Sequence, residues 1–155
     1  MSKFHKKADV VIIGLGGIAG ASVAHHLIER GWDNIIGIDK SGIPTDIGST
    51  GHASDFCFNT MHDQMTIYTT RYSIDFFEKR GRYSRIGGIE VARKGDDERM
   101  RELERRVSSG RAFGSRVSMI TPKEAKERMP LIEEDVIQGA LWDSDAGLVI
   151  PRSQV

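Results

Sequence analysis

Four glycines, Gly14, Gly16, Gly17 and Gly20, follow directly on the β-branched run Val10-Val11-Ile12-Ile13. Residues without a Cβ let a strand turn sharply into a helix while the backbone comes close to a pyrophosphate. The free N–H groups and the positive dipole end of that helix then face the phosphates. The spacing allows two readings. Without a gap the fingerprint is Gly14-x-Gly16-x-x-Ala19; with one inserted residue, Gly14, Gly17 and Gly20 take the three glycine roles. Asp39 closes the next apolar run, Ile35-Ile36-Gly37-Ile38, a little beyond the ~20 residues usual for the acid that accepts hydrogen bonds from an adenosine ribose. Its charge would repel a 2′-phosphate, which argues against NADP. Turn, helix and acid together point to an ADP-type dinucleotide and leave open which one.

His52 is the next residue with distinctive chemistry. It stands in Gly48-Ser49-Thr50-Gly51-His52-Ala53, within a stretch from Lys40 to Thr60 that is rich in Gly, Ser, Thr, Pro and Asp and has no regular period. A structureless run of this length is more often functional than accidental. Neutral imidazole is a good nucleophile toward the electrophilic methyl carbon of a flavin, and the glycines let the backbone approach the ring. The plain alternative is a histidine that only hydrogen-bonds within its loop. Here the sequence resembles the dimethylglycine and sarcosine dehydrogenase/oxidase group of the D-amino-acid-oxidase-like flavoproteins. In that group a Gly-Ser-Thr-x-His-Ala stretch follows the ribose-binding acid, and its histidine is bonded to the 8α carbon of the flavin. His52 is the matching position. The resemblance implies FAD rather than NAD, held by Gly14, Gly16, Gly17, Gly20, Asp39, Lys40, Ser49 and Thr50 and joined through His52.

The resemblance extends to Arg30-Gly31-Trp32-Asp33-Asn34-Ile35, to Ile86-Gly87-Gly88-Ile89-Glu90-Val91-Ala92 and to the turn Asp143-Ser144-Asp145-Ala146-Gly147. The sequence departs from the group in two places: the glycine turn is one residue longer, and Asp55 stands where relatives have glycine or a small neutral residue. The implied activity is removal of a hydride from the N-methyl carbon of dimethylglycine, sarcosine or a related N-methylated amine. The resulting iminium would be hydrolysed to formaldehyde or passed to tetrahydrofolate by a C-terminal folate domain. The group that handles the amine proton would lie beyond Val155, so no catalytic residue is assigned, and the electron acceptor is open. The implied fold is α/β: the N-terminal part of a GR2-type FAD-binding Rossmann-like fold, with segments of a mixed substrate domain. The βαβ unit covers 8–40 and the flavin loop 41–60.

The elements that must position these residues are legible from periodicity. Val10–Ile13 predicts a strand buried on both faces, as in a parallel sheet. A helix runs to about Arg30 with Ala21, Ala24 and Ile28 on one stripe, Val23 and Leu27 beside it, and Gly31 as its stop. Further helices are expected over about 63–79, with Met65, Tyr68, Tyr72 and Phe76 at helical spacing, and over about 97–109, with Met100, Leu103 and Val107 as a narrow apolar stripe. Thr121-Pro122-Lys123-Glu124 carries cap, proline and capping-box signals, and Pro130 ends that helix. Strands are expected at 87–92 and 137–142, and a new helix after Asp145-Ala146-Gly147.

Other reactive side chains read more simply. Cys57 is a small hydrophobe before it is a second flavin anchor. His25 and His26 belong to the first helix, partly exposed, and His62 to a helix start. No histidine, cysteine or carboxylate pair has metal spacing. The mixed charges from Glu98 to Arg106 suit a solvated helix face.

The 155 residues carry 22 basic and 22 acidic side chains, a balance that argues against nucleic acid or a membrane surface as the main partner. One cysteine permits no internal disulfide and fits a reducing compartment, and no window approaches the ~20 apolar residues of a membrane helix. The cytoplasm is the expected location. The chain stops where a helix is expected to begin, so an N-terminal fragment of a longer FAD-dependent amine oxidoreductase is the working expectation. An NAD-binding Rossmann module and a truncated, non-catalytic product are the alternatives.

Overall fold

Strand, glycine turn, helix and strand form where the first apolar runs predict them. β1 (Val10–Ile13) and β2 (Ile35–Ile38) pair in parallel, from Val10 opposite Ile35 to Ile13 opposite Ile38, with α1 (Ile18–Glu29) as the crossover. Gly31 follows α1 with φ +85°, a conformation that costs glycine nothing, and donates to the Ile28 carbonyl. The computed structural model describes residues 7–44 and 47–150, and the chain divides into two units, Met1–Ser54 and Asp55–Val155.

The first unit corrects two expectations. β1 is not buried on both faces: Ile12 is buried, whereas Val11 is 52% and Ile13 85% exposed. A strand paired on one side, with a single helix for cover, has only one face to bury. For the same reason α1 has no buried residue, and Ile28, expected on its packing stripe, is exposed.

The second unit contains β3 (Phe56–Cys57), α2 (Gln64–Glu78), β4 (Tyr83–Arg85), β5 (Gly88–Arg93), α3 (Asp97–Ala112), β6 (Val117–Ile120), α4 (Pro122–Arg128), β7 (Ile137–Asp143) and β8 (Gly147–Val149). Two antiparallel sheets result, in strand orders β3-β8-β4 and β5-β7-β6. The strand period of two divides the second sheet, except at Ile137, where the register shifts between Ala92 and Arg93. Ala92, Val117 and Leu141 face Leu103 and Val107 of α3; Ile120, Ile137 and Ala140 face Ala125 of α4. The α4 capping box forms as read, with the Thr121 hydroxyl accepting from Glu124 N and the Glu124 carboxylate from Thr121 N.

Several sequence readings change here. On α2 the stripe of Met65, Tyr68 and Tyr72 points outward, and the buried residues are Ile67 and Ile74. Two apolar stripes share this helix, and periodicity alone does not say which one the sheet takes. The segment after Gly147 begins as strand β8; the part of the expected helix at 151–155 lies outside the described residues. The charged stretch of α3 is not all solvated: Arg106 is buried, with both terminal nitrogens on Glu90 and one also on the Thr60 carbonyl. Glu90 lies on the α3 side of β5, so a guanidinium there finds a carboxylate within reach.

Asp55 has φ +58°, the left-handed region, and its carbonyl accepts from Val149 N. Aspartate is among the few side chains that tolerate that conformation. Asp55→Gly is therefore expected to leave the melting temperature unchanged or raised. Asp55→Val, with a branched side chain in the same backbone, should cost about 1–2 kcal/mol, read from urea denaturation.

Candidate functional site

The glycine turn is stitched to the end of β2. Gly14 adopts φ +91°, and the N–H groups of Gly14 and Leu15 both donate to the Ile38 carbonyl, at 2.7 and 3.2 Å. A Cβ at Gly20 would lie 2.2 Å from the Gly14 carbonyl oxygen, so α1 and the turn touch backbone to backbone there. Ala19, by contrast, is exposed. Close packing of helix against turn thus falls on Gly20 and not on Ala19. Leu15 lies across β2, where a Cβ on Gly37 would come within 2.1 Å of its Cδ2.

Asp39 does more in this geometry than its place at a strand end suggests. One carboxylate oxygen, Oδ2, accepts from Gly16 N at 2.8 Å; the other, Oδ1, accepts from the Ser41 backbone N–H and hydroxyl, both at 3.2 Å. Three of about four acceptor positions are filled, leaving one lone-pair direction for an outside donor. Ser41 was not among the expected residues, although Asp-x-Ser is the pattern of a side chain that bonds its own backbone two residues on. The Gly16 N–H above all, then Ser41, hold the Asp39 carboxyl below the ordinary carboxylate range, against a small opposing effect of burial. A depressed folded pKa gives an interaction that is complete above the unfolded value and lost as pH falls through the folded one. Acid titration should accordingly leave Gly16 amide exchange slow, relative to its intrinsic rate, at neutral pH, and lose that protection only below the ordinary carboxylate value. Asp39→Asn should remove the pH dependence.

The loop that follows returns to the helix start. Ser49–His52 forms a 3₁₀ turn, and the Thr50 hydroxyl accepts from Ile18 N at 3.0 Å. Ser49 is exposed. His52 is exposed, and its side chain makes no hydrogen bond or ion pair to another described residue. Lys40 is exposed as well, and joins Ile13, Gly14, Gly17, Ile38, Asp39, Ile47 and Gly48 around an open cleft of 460 Å³. The expected residues thus gather on one side of the unit: the glycines and Asp39 tightly, Thr50 by a hydrogen bond, Lys40 at the rim, and Ser49 and His52 on the adjoining turn.

This arrangement fits the ADP half of a dinucleotide. The cleft has the size of ligand pockets, roughly 300–1,000 Å³, with isoleucine walls for a base and an acid for a ribose. The first-turn N–H groups of Ala19 and Gly20 have no acceptor within the helix. At Gly14, the backbone conformation itself calls for a residue without Cβ. The remaining reactive residues are occupied elsewhere. His25 pairs with Glu29 at 3.1 Å, His26 with the Ser22 carbonyl at 2.7 Å, and His62 lies 3.7 Å from Glu102. The Cys57 thiol is half-buried in β3, and burial followed by the Asp55 charge pushes its pKa up, away from reactive thiolate.

Residues 9–155 match the DAO family, described as FAD dependent oxidoreductase. Among curated proteins, the chain is 29% identical over 92% of its length to the mitochondrial pyruvate dehydrogenase phosphatase regulatory subunit of Mus musculus, covering 16% of that protein. It is 25% identical over 93% of its length to mitochondrial sarcosine dehydrogenase of the same species, again covering 16%. Among solved structures, L-proline dehydrogenase from P. horikoshii superposes with a TM-score of 0.81 at 28% identity, over 92% of this chain and 38% of the other.

Proposed function

The chain belongs to the DAO family of FAD dependent oxidoreductases, and from that premise we propose that its first unit holds the ADP half of FAD and tethers the flavin through His52. The observation that carries this reading is the hydrogen-bonded frame of Gly14, Gly16, Gly20 and Asp39, with the His52 turn pinned to the same helix start. Ala19 and Gly20 would donate to the pyrophosphate, Asp39 would take a ribose hydroxyl on its remaining lone pair, and Lys40 at the rim would offset phosphate charge. His52 would hold the flavin through a ring nitrogen at its 8α carbon. Bound FAD supplies the two-electron acceptor; the protein supplies binding and orientation.

The substrate class we propose is an N-methylated amine such as sarcosine or dimethylglycine. A relative named sarcosine dehydrogenase and the Gly48–Ala53 stretch support it. Transfer of the one-carbon product to tetrahydrofolate belongs to the same proposal, as a step outside these residues. No helix among the described residues is long and apolar enough to cross a membrane. A reducing compartment, the cytoplasm on the sequence reading, suits the lone Cys57, while the relatives just named bear the word mitochondrial. A second reading, a flavin-holding module without turnover, is favoured by the relative named as a regulatory subunit.

Titration of the purified chain with FAD, NAD⁺ and NADP⁺ tests the site. FAD should bind most tightly, and NADP⁺ more weakly than NAD⁺ because Asp39 opposes its 2′-phosphate. NAD⁺ binding above FAD would reject the flavin reading. Bleaching of the bound flavin by sarcosine or dimethylglycine without oxygen, in a chain that includes the group handling the amine proton, separates the enzyme from the silent module.

A further inference from the structure

Gly17 is the N-cap of α1 and brings no side chain to the helix start. A glycine there leaves room for an approaching phosphate, but the helix loses the side-chain oxygen that serine, threonine or aspartate would supply, commonly worth about 1 kcal/mol. A different N–H of the helix start, one that an N-cap side chain would not take, finds its acceptor elsewhere in the chain. Thr50, 32 residues further along, places its hydroxyl 3.0 Å from Ile18 N, the first N–H of the helix. A Cβ on Gly17 would lie 3.5 Å from that hydroxyl, so Thr50 sits directly against the cap. Thr50 belongs to the same 3₁₀ turn as His52, at whose ends Gly51 N donates to the Gly48 carbonyl at 3.1 Å and Ala53 N to the Thr50 carbonyl at 3.5 Å.

We propose that Thr50 is a positioning residue, capping α1 from a distant loop and thereby fixing where His52 stands relative to the phosphate-binding end of the helix. The proposal rests on the flavin reading above and adds to it a device that couples the two ends of the cofactor site. With Ile18 N–H taken by Thr50, the N–H groups of Ala19 and Gly20 are left for phosphate. Because the threonine oxygen accepts, its own proton is free to donate outward. The bond holds the histidine-bearing turn to the helix before any cofactor arrives, so the backbone that carries the imidazole does not have to be ordered during attachment.

The test compares wild type, Thr50→Val and Thr50→Ser, first without cofactor by residue-resolved amide exchange and then after reconstitution with FAD. In Thr50→Val the Ile18 amide should exchange about fivefold faster, the loss of one hydrogen bond, and the Gly51 and Ala53 amides should follow. The last turn of α1 should be unaffected. Thr50→Ser, which keeps the acceptor, should restore all three. After reconstitution, the fraction of flavin that stays on the acid-denatured chain should fall in Thr50→Val and recover in Thr50→Ser, with His52 intact in both. Unchanged exchange at Ile18 in Thr50→Val would overturn the cap. Equal flavin retention in wild type and Thr50→Val would overturn the positioning role. A wild-type chain that takes up no FAD instead overturns the cofactor reading, and the exchange data then decide the cap alone.

Discussion

Replacing Gly20 by alanine is expected to cost the chain most of its FAD affinity while Asp55–Val155 stays folded. The added Cβ would stand 2.2 Å from the Gly14 oxygen, 2.8 Å from the Gly14 carbonyl carbon and 2.9 Å from Leu15 Cα. All three are backbone atoms, and none can rotate aside as a side-chain tip would. The turn is also held from its other side, since Gly14 and Leu15 both donate to the Ile38 carbonyl. Helix and turn must therefore separate, carrying the N–H groups of Ala19 and Gly20 away from the phosphates. Overpacking of this kind costs about 1–3 kcal/mol, which corresponds to about a 5- to 150-fold loss of affinity. Gly17→Ala is the control for the fold alone, since its side chain would enter the room left for phosphate. Its Cβ would meet Thr50 Oγ1 at 3.5 Å, ordinary contact, so the helix should stay in place. Calorimetric titration with FAD, together with a melting curve, checks both variants.

The largest effect on stability is expected at Asp143. Its carboxylate is fully buried and accepts from Asn59 N at 2.8 Å, Thr60 Oγ1 at 2.6 Å and Asp145 N at 3.0 Å. These bonds tie the end of β7 to the segment that enters α2. Asp143→Ala would leave all three donors buried without an acceptor, at a cost of about 3–5 kcal/mol, a large part of the ~5–15 kcal/mol that holds a typical domain together. Asp143→Asn keeps one acceptor oxygen and should fall between alanine and wild type. The neighbouring Asp145 is secured differently. Burial alone would raise its carboxyl pKa, but the guanidiniums of Arg116 and Arg85 outweigh that and hold it low. Urea denaturation monitored in the second unit gives the comparison, and a change in midpoint for Asp143→Ala of no more than that of a surface variant would refute this account.

What the sequence made legible follows the physics of each signal. A β-branched run, a glycine turn and an acid at the next strand end are local and self-reinforcing, so β1, α1, β2 and Asp39 could be read directly. The α4 capping box is equally local. The short strands β3, β4, β6 and β8 were not read, because two to four residues carry too little alternation to stand out. The outward face of α2 was misread because Met65, Tyr68 and Tyr72 make as good a stripe as Ile67 and Ile74, and only the packing partner selects between them. Long-range polar contacts were invisible for the same reason. Nothing near Arg106 announces Glu90, nothing near Asp143 announces Thr60, and nothing near Gly17 announces Thr50. The site was named from its residues, but how its two halves are tied together needed the fold.

Retention of flavin through denaturation puts the reading of the site to its most direct trial. The FAD-reconstituted chain is denatured in acid, separated from free cofactor and viewed for flavin fluorescence on a gel, beside His52→Ala. The account predicts a fluorescent band at the position of the wild-type chain and none for His52→Ala, with FAD bound before denaturation in both. Free flavin from a wild-type chain that had bound it, or a fluorescent band that survives His52→Ala, would contradict it.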